Sequence, residues 1–267
     1  MISIIEENNS IENVNTFQLP QSITTSALEP AAKQIGEGFG NLFYLIFSPI
    51  EKAKIKKEHD ISVFKSELES EILKIPVDQL TEPPLNIVGP ALEASKYHIE
   101  DTDIRSMFVK LISSSMTQNN NNIAHSAFVE IIKQLSPLDA KTLLFLYNNR
   151  PVGFGKIRLN HTDPSKGGQD WIKNFFPFPE MDIDNMDHYS ASIDNIKRLG
   201  IVFTDHTTSF IDKSQYDSIK NHDLYKHLHE LAIKTPDHPF FKDRAIHFNE
   251  SVWGFTSFGN HFVQCCL

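Results

Sequence analysis

The sequence predicts a mainly α-helical protein, in which an N-terminal helical unit is followed by a winged-helix-like α+β unit. Apolar residues recur at helical spacing through most of the first half of the chain. The second half opens with Ser-Pro-Leu-Asp at 136–139, where a capping serine precedes a proline in the first turn of a helix. Later, Ile-Lys-Arg-Leu-Gly-Ile-Val at 196–202 predicts a helix that ends at a glycine and leads into a strand.

In the first half, apolar spacing and the positions of prolines predict two long helices and three shorter ones. Pro49 should kink or restart the first of them, because proline has no N–H to donate to the carbonyl group four residues earlier. Pro90 is expected in the first turn of the third helix, where that N–H is not needed. The predicted helices are 27–48, 50–75, 90–97, one capped by Asp101 or Asp103 that reaches Ser115, and 124–135.

The second half contains signals for both helices and strands. One predicted helix ends just before a glycine, and two predicted strands follow it with a long insertion between them. This order predicts the helix and the two-stranded wing of a winged-helix domain. The predicted elements are a helix from Asp187 to Leu199, a strand from Ile201 to Phe203, a helix from Tyr216 to Ile233, a strand from Val252 to Gly259 and a final helix from His261 to Cys265.

These elements divide the chain into three segments. Residues 1–25 are predicted to be a flexible arm, 26–135 a helical domain, and 136–267 a winged-helix-like domain with an insertion at about 205–248. The start of the chain lacks the basic residues and the apolar core of a secretory signal. The apolar segment from Phe39 to Ile50 holds 12 uncharged residues, against the roughly 20 that span a bilayer, so no conventional transmembrane helix is expected.

Composition narrows the classes of function. The chain has a formal net charge of −9, with 40% hydrophobic and 22% charged residues, which is typical of a globular protein. An acidic surface repels phosphate, so bulk charge does not support nucleic-acid binding. The two cysteines, Cys265 and Cys266, are neighbours and cannot build a disulfide framework, so we expect a cytoplasmic location.

The most unusual segment is the first helix, where three glycines precede an apolar run and then a set of lysines. Each glycine costs a helix up to about 1 kcal/mol relative to alanine, and Gly36 and Gly40 are spaced to let two helix backbones approach closely. One interpretation is a helix buried in its own domain; the other is a helix that self-associates or contacts an anionic membrane. The candidate residues are Gly36, Phe39, Gly40, Phe43, Ile46, Phe47, Lys52, Lys54, Lys56 and Lys57.

Other residue patterns do not predict a catalytic, cofactor or metal site. His222, His227 and His229 are spaced five and two residues apart, which spreads them around a helix and does not align them on one face. Gly-Glu-Gly-Phe-Gly-Asn at 36–41 has the wrong spacing for a phosphate-binding loop. Ser-Lys-Gly-Gly at 165–168 is explained as a surface turn. We therefore expect a protein that is not an enzyme and needs no cofactor.

Several stretches of the chain resemble the Abi-alpha family of bacterial abortive-infection proteins. They are EPAAKQIGEGFGNLFYLIFSPIEKAKIKKEHDI, EPPLNIVGPALEASKYHIED, FVEIIKQLSPLDAKTL, RLGIV and FTSFGNHFVQCC, and together they extend from about residue 26 to the end. The resemblance implies a role in phage defence. The family is defined by helical motifs, so it implies no active-site residues.

Two functions are therefore considered first. In one, the protein is a non-enzymatic anti-phage protein that acts through helix-mediated self-association or membrane contact, in the cytoplasm or at the inner membrane surface. In the other, it is a winged-helix adaptor that binds a protein partner or nucleic acid. The predicted reading helix offers only Lys197 and Arg198 against Asp187 and Asp194, so no specific DNA binding is expected. An enzyme with an unrecognised site is the third alternative.

Overall fold

The computed structural model describes residues 29–52, 58–120 and 123–267, and in the first helix it describes the side chains of residues 33–49. The predicted arm and three of the candidate lysines (Lys54, Lys56 and Lys57) lie outside the described residues, as does the side chain of Lys52. The described chain is mostly helical, with one four-stranded antiparallel sheet, which confirms the mainly α prediction. It divides into two units: Leu135–Asn260 forms one, and the described residues up to Gln134 form the other together with His261–Leu267.

Five α-helices belong to the described part of the first unit up to Gln134. Asp101 caps the fourth, since its carboxylate accepts a hydrogen bond from the backbone N–H of Ile104 at 2.9 Å. The helices are α1 (Glu29–Lys52), α2 (Glu58–Leu73), α3 (Leu85–Ser95), α4 (Thr102–Ser115) and α5 (Ala127–Lys133).

Two prolines lie inside these helices and not at their ends. The helix α1 continues through Pro49 to Lys52, so it does not restart there. The helix α3 begins at Leu85 and not at Pro90, which lies in its interior. The carbonyl that Pro90 leaves without a donor belongs to Asn86, and both residues are exposed, so water can satisfy it.

The first unit is held together by packing between α2 and α4, where Phe64, Leu68 and Phe108 are fully buried. Arg105 of α4 is also buried, and its charge is satisfied by Glu67 of α2. Its Nε and Nη2 donate to the two carboxylate oxygens at 2.9 and 2.8 Å, and its Nη1 donates to the Ile99 carbonyl at 2.8 Å. This pairing removes most of the cost of burying a guanidinium.

Residues 261–267, which the sequence predicts to lie in the second domain, belong to the first unit. Phe262 packs edge-to-face on Phe128 of α5 at a centroid distance of 5.3 Å. The Ser114 hydroxyl of α4 donates to the Cys265 carbonyl at 3.1 Å. Phe262, Val263, Cys265 and Cys266 of this tail are buried. A division of the sequence into consecutive segments cannot show that the end of the chain returns to the first unit.

The second unit contains the sheet, in which the strands lie in the order β2-β1-β4-β3 and every neighbouring pair is antiparallel. The predicted helix start at Ser136 is confirmed by a full capping box with Asp139. The elements of this unit are α6 (Pro137–Asn148), β1 (Phe154–His161), β2 (Gly168–Phe175), α7 (Met186–Arg198), β3 (Val202–Asp205), α8 (Asp217–Lys220), α9 (Asp223–Lys234) and β4 (Arg244–Phe255). The last helix, α10 (Ser257–Cys266), begins in this unit, and its residues from His261 onward belong to the first unit.

The winged-helix part of the expected fold is not confirmed. The strands β3 and β4 do form a ribbon, with Val202 opposite Phe255 and Asp205 opposite Val252. However, β4 begins at Arg244, inside the predicted insertion, and its N-terminal part pairs with β1. The predicted helix from 216 to 233 is divided into α8 and α9. The strand predicted from Val252 to Gly259 ends at Phe255, and α10 begins at Ser257.

Candidate functional site

The helix α1 presents one face to the core of the first unit. Gly36 and Gly40 are buried, and the same face carries three buried phenylalanines. Phe43 stacks on Phe47 at a centroid distance of 4.5 Å, and both contact Phe64 of α2, at 6.2 and 5.8 Å. Of the candidate residues with described side chains, Gly36, Phe39, Gly40, Phe43 and Phe47 are therefore buried, and Ile46 is half-buried.

A neighbouring face of α1 is apolar and is left exposed or half-buried by the described residues. Gly38 is exposed, and a Cβ atom added to it would meet no described atom within 4 Å. Ile35 and Leu42 are half-buried, and Leu45 is 71% exposed. At 3.6 residues per turn these positions form one stripe along the helix. The three glycines therefore do not share one role: Gly36 and Gly40 are buried, and Gly38 lies on the exposed stripe.

This stripe borders a groove, which we call the α1 groove. Its volume is about 360 Å³, and Leu85 at its edge is 69% exposed. Among the described residues that line the groove, only Glu82 is acidic. Just before the groove, Lys33 Nζ lies 4.0 Å from Glu37 Oε1. The groove is shaped to accept apolar side chains. Its lining residues are Gln34, Ile35, Gly38 and Leu42 of α1, with Glu82, Pro83 and Leu85.

Histidines and apolar helices are the features of the described residues that could indicate a metal site or a membrane span. No three histidine, cysteine, aspartate or glutamate side chains converge to hold a metal ion there. His222 caps α9, and its Nε2 lies 2.9 Å from the Phe178 carbonyl. The Nε2 of His229 is buried without a hydrogen bond, and burial lowers the pKa of this imidazole. No helix in the same part of the chain combines the length and apolar character of a membrane span.

The cations of α7, the predicted reading helix, have partners within the helix. The Lys197 ammonium lies 3.8 Å from an oxygen of Asp194. The Arg198 guanidinium donates twice to Asn195 Oδ1, at 3.1 and 2.7 Å. The Asp194 carboxylate partly offsets the charge of Lys197, and the bonds to Asn195 occupy donors of Arg198 that a phosphate would need, so specific DNA binding is still not expected.

Two sequence motifs meet at one junction in the second unit. Gly200, with φ of 76°, ends the segment Arg-Leu-Gly and lets the chain turn into β3. The Thr256 hydroxyl donates to the Gly200 carbonyl at 2.6 Å and accepts from the Gly259 N–H at 2.8 Å, so it caps α10. A Cβ atom on Gly259 would lie 1.9 Å from the Ile201 carbonyl oxygen. The segment Arg-Leu-Gly at 198–200 and the segment Thr-Ser-Phe-Gly at 256–259 therefore meet in one close backbone contact.

The thiols of Cys265 and Cys266 are buried, and burial raises the pKa of Cys265 from 9.0 to about 11 and that of Cys266 well above its ordinary value. We expect neither thiol of the native protein to react with a thiol reagent at pH 8, and both to react in denaturant. Because the folded pKa is the higher one, this contribution to stability is complete below pH 9 and is lost as the pH rises through 11. Rapid labelling of the native protein would contradict this.

These features define a helical protein with a small antiparallel sheet and an apolar groove along α1. The chain belongs to the abortive infection alpha family, whose model matches residues 56–266. This is the family that the sequence motifs resemble. Its name indicates a role in abortive infection, which is a form of phage defence. The match begins at residue 56, whereas the resemblance was expected from about residue 26. Comparisons with curated proteins and with solved structures give no match.

Proposed function

We propose that this protein is a non-enzymatic, cytoplasmic abortive-infection protein that acts by self-association through α1. The exposed stripe beside the α1 groove carries this proposal. Leu45 and Leu85 are 71% and 69% exposed, and covering them on association is favourable by about 25 cal/mol per Å² of apolar surface. The exposed Gly38 adds a place where a second helix backbone can come close.

The test changes exposed residues only, so that the fold is kept. We expect Leu45→Glu/Leu85→Glu to abolish protection of a bacterial host against phage, with little change in melting temperature, because a charge at each position opposes burial in an interface. The measurements are efficiency of plating and cross-linking of the protein in cells after phage challenge. Ile233→Glu is the matched control, since Ile233 is 77% exposed in the second unit. Full protection by the double variant would refute the proposal.

Membrane contact is a second candidate, supported by the buried face of α1. Phe39, Phe43 and Phe47 could enter a bilayer interface if α1 left the core, and the sequence places Lys52 at the end of α1 and three more lysines just after it. Each lysine near an anionic surface contributes about 1 kcal/mol. A trigger would have to supply the cost of releasing the helix.

Flotation with vesicles tests this candidate. After phage challenge, the wild-type protein is expected to float with anionic vesicles and not with zwitterionic ones. Reversal of the four lysines (Lys52→Glu, Lys54→Glu, Lys56→Glu and Lys57→Glu) should abolish flotation without touching the buried phenylalanines. If the wild-type protein never floats with anionic vesicles, membrane contact through α1 is ruled out.

The second unit offers a weaker alternative, that of a winged-helix adaptor. Two observations favour a protein partner over DNA. Phe203 is 48% exposed on the edge strand β3, and Lys197 and Arg198 have partners within their own helix. Exposed aromatic residues are common anchors at protein interfaces. We propose the ribbon of β3 and β4 as this contact surface if the α1 surface proves dispensable.

A further inference from the structure

We propose that a pocket in the second unit, which we call the β1 pocket, binds the phosphate group of a small ligand such as a nucleotide. Its volume is about 540 Å³, which is within the range of small-molecule sites. The proposal does not depend on self-association through α1, which belongs to the first unit. Residues of three neighbouring strands and of the turn between β1 and β2 line the pocket, among them Arg158, Asn160, His161, Gly167, Gly168 and His247.

The lining of the β1 pocket is basic, although the whole chain carries a formal net charge of −9. None of the described residues that line it is acidic. On β1, Lys156 and Arg158 share the carboxylate of Asp170, with Lys156 Nζ 3.3 Å from one of its oxygens. The two cations therefore leave an excess of one positive charge beside the pocket, which favours a bound anion.

Arg158 is held in place and still has donors to offer. Its Nη1 donates to Asp170, its Nη2 donates to the Gly168 carbonyl at 3.2 Å, and its Nε donates to Asn160 Oδ1 at 3.4 Å. A guanidinium has five N–H donors, so these bonds among the described residues leave one on Nη1 and one on Nη2. A planar guanidinium that is already oriented suits two oxygens of a phosphate group.

Two histidines add donors from neighbouring strands. The Nδ1 of His161 accepts a hydrogen bond from the Asp163 N–H at 2.9 Å, so the neutral ring carries its proton on Nε2. His247 of β4 lies opposite Arg158 in the sheet and is exposed. Its ring makes no hydrogen bond to the described part of the chain. Both rings line the pocket and can each donate to a phosphate oxygen there.

The turn before β2 keeps the pocket open. Gly167 has φ of 67°, and a Cβ atom added to it would meet no described atom within 4 Å, so space remains in front of the backbone. A Cβ atom on Gly168 would overlap Asn160 Oδ1, which is the acceptor for Arg158 Nε. The two glycines therefore give a ligand access to the pocket and preserve the support of Arg158.

The experiment titrates the purified full-length protein with inorganic phosphate, adenosine monophosphate and adenosine, and follows the ring-proton NMR signals of the histidines. Phosphate and adenosine monophosphate should shift the signals of His161 and His247 and leave that of His227, exposed on α9, unchanged. Adenosine should shift none of them, because it has no phosphate. Tighter binding of the nucleotide supports a nucleotide as the ligand, and equal binding supports a free phosphate group.

Substitutions assign the binding to the pocket. Arg158→Gln should weaken phosphate binding at least about tenfold, because hydrogen bonds from a charged donor are among the strongest. Arg150→Gln removes the same charge from an exposed position of the same unit and should not change the affinity. His247→Ala should weaken binding about threefold, whereas His227→Ala should not. The melting temperature of each variant checks its fold, and the exposed His247 provides the test if Arg158→Gln is unstable.

Three results would overturn the proposal. The first is unchanged histidine signals at about 10 mM phosphate, which would mean that any affinity is negligible. The second is an equal response to adenosine and to adenosine monophosphate, since the base would then be the recognised group. The third is equal phosphate affinity in the wild-type protein, Arg158→Gln and His247→Ala, which would place the binding elsewhere.

Discussion

The alanine variant at Gly259 is expected to be less stable than the wild-type protein by about 3 kcal/mol, a large effect for one added methyl group. The cause is a backbone contact: the new Cβ would lie 1.9 Å from the Ile201 oxygen and 2.8 Å from the Ile201 carbonyl carbon. Neither atom belongs to a flexible side chain, so the first turn of α10 must move away from the turn at Gly200. That movement also strains the Thr256 cap, which bonds both Gly200 and Gly259.

Thermal denaturation checks this prediction. A loss of about 3 kcal/mol should lower the melting temperature by about 10 °C in a protein of this size. Gly38→Ala is the matched control, because its Cβ would meet no described atom within 4 Å in an exposed stretch of helix. That change should be neutral or stabilise by up to about 1 kcal/mol. Equal melting temperatures for Gly259→Ala and the wild type would show that the junction is not a tight contact.

Local signals allowed much of the helical structure to be predicted from the sequence. The capping box at Ser136 and the glycine after α7 each act through backbone geometry within a few residues, so the sequence alone reveals them. The Gly259 contact was not predicted. Its partner, Ile201, is 58 residues away, and a glycine in a predicted strand does not say which backbone approaches it.

The hairpin of β1 and β2 was missed, although a signal for it exists. In β1, Ile157 and Leu159 are buried and alternate with the partly exposed Lys156 and Arg158, which is the period of a strand. The Pro-Ser-Lys-Gly-Gly turn at 164–168 connects two such runs. It was interpreted as an isolated surface turn, so the flanking strands were not recognised.

The candidate site was predicted in part, because helical spacing identified α1 as unusual but not which of its faces is covered. Gly36 and Gly40 face the core, whereas Gly38 faces the groove. That distinction depends on the position of Leu85 and Pro83, which come from a distant segment of the sequence. Apolar periodicity can place residues on one face of a helix, but the neighbouring elements decide whether that face is buried.

Replacing Phe43 by alanine is expected to cost about 3–5 kcal/mol, a large loss of stability for a single truncation. Phe43 is 2% exposed and stacks on Phe47 of its own helix while it contacts Phe64 of α2. Its removal leaves a cavity between two helices and weakens both ring contacts. Leu45→Ala, two residues further along the same helix, is the control and should change stability by less than about 0.5 kcal/mol, because Leu45 is 71% exposed.

The measurement is the free energy of unfolding of Phe43→Ala, Phe64→Ala and the double variant. The two rings are in contact, so the double variant should lose less than the sum of the single losses, by about 0.5–1.5 kcal/mol. This result also bears on membrane release. Full burial of one such side chain contributes about 1.5–3 kcal/mol, so exposing three phenylalanines would cost about 5–9 kcal/mol. If Phe43→Ala costs less than 1 kcal/mol, α1 is not anchored in the core and its release would need no strong trigger.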